Sequence, residues 1–153
     1  MSVDIKLSEL EGSWKGTNKL YLSWVSEEPI VSDSTASVSM RVNDQFFGIE
    51  YKWAYEGNEQ EGLLILGCDS KSDAVQAVWT DSWHNGHKFM LCDGNIDADG
   101  KVSVKGYYTV PEHPDWGWRT EIVPGSDSFK YLMYNVSPDG VEELAVETEF
   151  SRV

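Results

Sequence analysis

The residue with the sharpest chemical promise is Asp81, in Trp79-Thr80-Asp81-Ser82-Trp83. In an extended chain side chains change face at every residue, so this carboxylate falls on the same side as two indoles. A carboxylate inside an apolar wall is expensive unless it is paired, or unless it gives up its charge. It could orient a polar or cationic group of a ligand, or act as a general base. A local bulge turning it to solvent, or an internal Arg or Lys partner, would explain it without function. Arg119 follows Trp116-Gly117-Trp118. With both indoles inward it points out; a bulge at Gly117 would flip the register and let it grip a ligand carboxylate bidentately.

His84 and His87 flank Asn85-Gly86, and His113 is the third histidine. Two imidazoles across a hairpin mouth are too few for a structural zinc site, and exposed turn histidines are the expectation. Asn95-Ile96-Asp97-Ala98-Asp99-Gly100 begins like a calcium loop, but its twelfth position is Gly106, where a bidentate Glu is required. No nucleophile triad order, P-loop or dinucleotide glycine signature occurs. No catalytic residue, metal site or cofactor is therefore assigned.

The elements that must position these residues alternate in strand fashion. From Ser13 to Val25, Trp14, Gly16, Asn18, Leu20, Leu22 and Trp24 share one face, with Lys15, Thr17, Lys19 and Tyr21 on the other. Further strands are predicted near 34–42, 47–56, 61–68, 74–84, 89–96, 102–110, 116–123, 128–136 and 141–152. Breaks fall at Pro29, Asn43-Asp44, Gly57-Asn58, Asn85-Gly86, Asp99-Gly100, Pro111 to Pro114, Pro124-Gly125 and Asp139-Gly140. About ten strands without a sustained helical period predict an all-β fold, a closed up-and-down antiparallel barrel, since closure removes the edges a ten-strand open sheet would leave. Residues 1–153 read as one domain, with 1–11 a lead-in carrying a helical turn around Leu7 and Leu10, and 12–152 the barrel.

Gly12-Ser13-Trp14 after that lead-in resembles the Gly-x-Trp signature of the lipocalin and fatty-acid-binding superfamily. The resemblance implies a calycin-type barrel in which Trp14 plugs one end and Arg152 packs across it. The closing hairpin, Phe129 to Tyr134, Asp139-Gly140 and Glu147 to Arg152, is similar to that of a bacterial lipocalin-like family of unknown function. That family supplies no catalytic residues to carry over. A haem-binding relative of the nitrobindin type would need a pocket-facing histidine late in the chain, and none follows His113.

Composition narrows the function. The chain of 153 residues carries 26 acids against 12 bases, a net charge of −14, which argues against nucleic acid and anionic membrane surfaces as partners. Two cysteines without metal spacing, no leader-like opening and no apolar run near the roughly 18 residues of a membrane span suggest a cytoplasmic protein with reduced thiols. Seven Trp, seven Tyr and five Phe suit either a core or a pocket lining. A ten-strand barrel is expected to be too wide to fill itself. The expected lumen lining is Asn18, Leu20, Tyr51, Trp53, Tyr55, Trp79, Asp81, Trp83, Tyr108 and Tyr131, with Arg119 as a further ligand contact. The expectation is binding of a small apolar or amphipathic molecule there, by a monomer or homodimer. An isomerase- or cyclase-type enzyme using Asp81, and a structural protein with a filled barrel pairing through Tyr21 and Val25, are the alternatives.

Overall fold

The computed structural model describes residues 5–153, so the first four residues of the lead-in lie outside the described residues. A single helical turn α1 (Ile5–Ser8) precedes ten strands: β1 (Gly12–Leu20), β2 (Ile30–Arg41), β3 (Phe46–Tyr55), β4 (Asn58–Cys68), β5 (Ala74–Asp81), β6 (Met90–Ile96), β7 (Val102–Val110), β8 (His113–Pro124), β9 (Ser128–Val136) and β10 (Glu142–Arg152). Each strand pairs antiparallel with its sequence neighbours, and β1 closes on β10 from Trp14 opposite Arg152 to Leu20 opposite Val146. The result is the closed up-and-down barrel expected of the alternating pattern. Among the described residues no helix is long and apolar enough to cross a membrane.

One end is plugged. Leu7 and Leu10 from α1 and the segment after it are buried with Trp14, Phe129 and Phe150. Trp14 meets Phe129 edge-on at 4.8 Å, and Phe129 stacks on Phe150 at 4.9 Å. The Trp14 indole donates to the Leu10 carbonyl at 2.8 Å, and the Arg152 guanidinium lies over the Trp14 ring at 4.3 Å. Arg152 also donates to the carbonyls of Glu9 and Glu11, which ties the last strand to the lead-in. Gly16 sits at the closing seam, where a Cβ would come within 2.1 Å of the Glu149 carbonyl oxygen.

Strand boundaries depart from the sequence pattern where local turns and hydrogen bonds compete with the ladder. β1 stops at Leu20: Val25 and Ser26 donate to the Leu22 carbonyl and turn the chain. Leu22 stays buried, but Trp24, expected inside, is 77% exposed at the rim. β5 ends at Asp81 rather than His84, because the Asp81 carboxylate captures the amides of Trp83 and His84 and folds the next residues into a turn. Pro111 and Glu112 form a tight turn instead of an extended break; Glu112 takes a φ of 65°, and His113 and Pro114 already belong to β8. In β10 the register shifts between Leu144 and Val146, a bulge around Ala145.

Candidate functional site

The centre of the barrel is packed around Asp81, which is 1% exposed. Among the described residues no Lys or Arg pairs with it. Four uncharged donors do the work: the Tyr51 hydroxyl (2.7 Å) and Trp53 indole (3.2 Å) on Oδ2, and the backbone amides of Trp83 (2.8 Å) and His84 (3.1 Å) on Oδ1. A carboxylate offers about four lone-pair positions, so all are taken. Tyr51 in turn accepts from the Trp79 indole at 2.9 Å. Three strands make this possible through register: Tyr51 stands opposite Gly62, and Gly62 opposite Asp81. The Tyr51 ring occupies the place of a side chain at Gly62, where a Cβ would lie 2.0 Å from the ring. Burial raises the phenol pKa values of Tyr51 and Tyr131 well above the usual range, with neighbouring charge adding to the effect, so both stay neutral; the Tyr51 hydroxyl donates to Asp81, and that of Tyr131 has no partner among the described residues.

This packing leaves little lumen. Asn18, Tyr51, Trp53, Asp81, His84, Tyr131, Met133, Val146 and Thr148 surround a chamber of only about 10 Å³. Asn18 is spent on Thr148, whose hydroxyl donates to it at 2.9 Å. The expected through-lumen pocket is therefore filled at mid-height by its own aromatic wall: Tyr51 packs on Tyr131, and Trp79 stacks on Trp118 with rings 5.4 Å apart and nearly parallel. The reason is volume. The long inward side chains of Tyr51, Trp53, Trp79 and Tyr131 span a diameter that aliphatic residues would leave open.

The space lies instead at the end opposite the Trp14 plug. A cleft of about 400 Å³ is walled by Leu20, Leu22, Trp24, Trp83, Tyr108, Asn135, Leu144 and Ala145, among others. A second, of about 510 Å³, opens beside the β5–β6 turn, where Phe89, Met90, Tyr107 and Thr109 line it. The ladder between β6 and β7 runs only from Asp93 to Ile96 on β6, short of this end. Both clefts share His84, Tyr108 and Trp118. Larger concavities over the outer faces of the strands are lined by charged and hydroxyl side chains such as Lys15, Lys19, Asp33 and Glu149, the ordinary wet side of a barrel.

His84 is the residue that sequence reasoning placed wrongly. It is not an exposed turn histidine. The Asp81 cap turns the chain inward, and its imidazole sits among Trp53 (5.7 Å), Trp79 (5.7 Å), Trp83 (4.8 Å) and Trp118 (5.1 Å). Desolvation lowers its pKa, with the nearby Asp81 charge opposing the shift. The ring is thus neutral near neutral pH, one nitrogen a donor and the other an acceptor. Among the described residues neither ring nitrogen makes a hydrogen bond. The Trp118 indole N–H, buried beside it, has no acceptor either.

The family model for a protein of unknown function (DUF1579) matches residues 5–152. The chain belongs to the DUF1579 family. Among solved structures, this DUF1579 chain is similar to that of Rv2717c from M. tuberculosis, with a TM-score of 0.66, 12% identity and 99% of each chain covered. At that identity the likeness shows a shared fold. No curated protein matches the chain.

The remaining expected residues of the DUF1579 barrel divide into two groups. Trp83 and Tyr108 reach the clefts, and the Tyr108 hydroxyl donates to Asn135 Oδ1 at 2.6 Å. Tyr55 packs against Trp83 at 5.1 Å and supports the wall from behind. Arg119 does not face the lumen. No register shift occurs at Gly117, so Trp118 points in and Arg119 out. There it lies over the Tyr134 ring and pairs with Glu142 (2.8 Å) and Glu121. Asp81 spends four hydrogen bonds on the fold, the work of a structural tie. No disulfide joins Cys68 to Cys92. Among the described residues no three His, Cys, Asp or Glu side chains converge as a metal site would need.

Proposed function

We propose that this protein binds a small apolar or amphipathic molecule at the open end of its barrel, a role of the lipocalin or calycin kind. One observation carries the reading: two apolar clefts meet on an imidazole whose nitrogens have no protein partner, held in place by a fully satisfied carboxylate. Each cleft falls within the roughly 300–1,000 Å³ typical of small-molecule sites, and aromatic walls with a few convergent polar groups are their usual lining. Asp81 serves as the positioning residue, because its Oδ1 fixes the backbone of Trp83 and His84.

The test uses N-phenyl-1-naphthylamine, an uncharged fluorescent probe, titrated into the protein. Ala145→Phe fills the mouth from a half-buried position on β10 without touching the Asp81 network. Binding in the parent with loss in the folded variant supports the reading. Equal binding in both, or none in the parent, overturns it.

A further inference from the structure

Among the polar groups of the residues lining the two clefts, some uncharged donors lack an acceptor, while Asn85 Oδ1, on a residue of the second cleft, is the converse, a buried acceptor without a donor. The Tyr108 hydroxyl occupies Oδ1 of Asn135, which turns the amide nitrogen away from Tyr108; among the described residues that nitrogen donates to nothing. The Trp118 N–H, on a side chain 8% exposed, is likewise without an acceptor. His84 offers one further donor or acceptor. The charges that line the 400 Å³ cleft are the carboxylates of Glu27 and Glu143. Lys88 is the cation lining the second cleft, and it is exposed at the outer part. Arg119, the guanidinium that a fatty-acid site would want, lies outside the barrel in its ion pairs.

Resting on the ligand-binding reading above, we propose that this site selects an uncharged molecule with a flat apolar body and a carbonyl group, and rejects the corresponding carboxylate. A carbonyl oxygen supplies the acceptor that Asn135 and Trp118 lack. Of the two, the Trp118 N–H is buried and unpaired, so a ligand acceptor that reaches it gains over one without, and the half-buried Asn135 amide adds a second donor. In the 400 Å³ cleft, which no Lys or Arg lines, a carboxylate would have to shed its hydration beside two glutamates and within a protein of net charge −14. The lowered pKa of His84 works in the same direction, since the ring is not a ready counter-charge.

Three probes of one shape separate the possibilities: 2-acetylnaphthalene (carbonyl), 2-ethylnaphthalene (no acceptor) and 2-naphthoate (anion). Their dissociation constants for the unmodified protein are measured near neutral pH by calorimetry and tryptophan quenching. 2-Acetylnaphthalene is expected to bind at least about tenfold more tightly than either of the others. In Asn135→Leu its affinity is expected to fall towards that of 2-ethylnaphthalene, whose own binding stays constant and so reports an intact cleft. Naphthoate binding as tightly as the ketone, or the ethyl compound doing so, overturns the selectivity while leaving the ligand-binding reading in place. An unchanged preference in both Asn135→Leu and His84→Phe also overturns it. Binding of none of the three overturns both proposals.

Discussion

Replacing Asp81 with asparagine keeps the outline of the side chain and turns one of its acceptors into a donor. Oδ1 serves two backbone amides that cannot move without unwinding the β5–β6 turn, so the new NH₂ is expected on the Oδ2 side, facing Tyr51 and Trp53. Tyr51 can rotate its hydroxyl and accept. The Trp53 indole can only donate, and it is left without an acceptor in a place sealed from water. An orphaned buried donor costs about 1–3 kcal/mol, and the two amides lose the extra strength of a charged acceptor. Relief from burying a charge offsets part of this, giving a net loss of about 2 kcal/mol. Urea unfolding followed by tryptophan fluorescence, with a slope of about 2 kcal/mol per molar, would show a midpoint lower by about 1 M and an unchanged slope. Asp81→Ala strands all four donors and is expected to consume most of a typical stability of about 5–15 kcal/mol. An asparagine variant within about 0.5 kcal/mol of the parent would refute the assignment of Asp81 as the tie that holds this end of the barrel.

Other expectations follow from the same geometry. Gly62→Ala would drive a methyl into the Tyr51 ring and is expected to cost about 1–3 kcal/mol, read from the thermal midpoint, with loss of mouth-probe binding. His84 carries a depressed pKa in the fold, so as pH falls below about 6.5 the unfolded chain takes up a proton before the native one does. Stability is therefore expected to decline from that point down to the lowered native value and then to level off. His84→Phe, or His84→Gln where Phe misfolds, should remove that component of the pH profile. The Cys92 thiol is pushed up to about 12 by burial, reinforced by Asp93, so a thiol-specific disulfide reagent at mildly alkaline pH should modify it only when the protein unfolds. Arg152→Met should cost roughly 1 kcal/mol and loosen the plug, seen as faster amide exchange at Leu10.

The period-two pattern alone determined the fold class, since each strand shows one apolar and one wet face and hairpin-length turns leave few ways to pair them. The pairing of Trp14 with Arg152 was expected from the resemblance to Gly-x-Trp barrels, and the closing strands place the two opposite one another in register. Asp81 was legible as an inward carboxylate, but not its role. Its donors come from β3 and from two backbone amides, and no local pattern reports a bond between positions 30 residues apart or the turn that such bonds impose. His84 was lost for that reason, because strict alternation and the Asn85-Gly86 signal together place it on an exposed hairpin, whereas the captured amides roll it inward. Arg119 hung on whether Gly117 bulged, a question of pairing energy with two neighbours. The width of the lumen, and hence a site at the mouth rather than the middle, was decided by how the large rings from opposite walls meet. That is a property of the closed barrel and of no single strand.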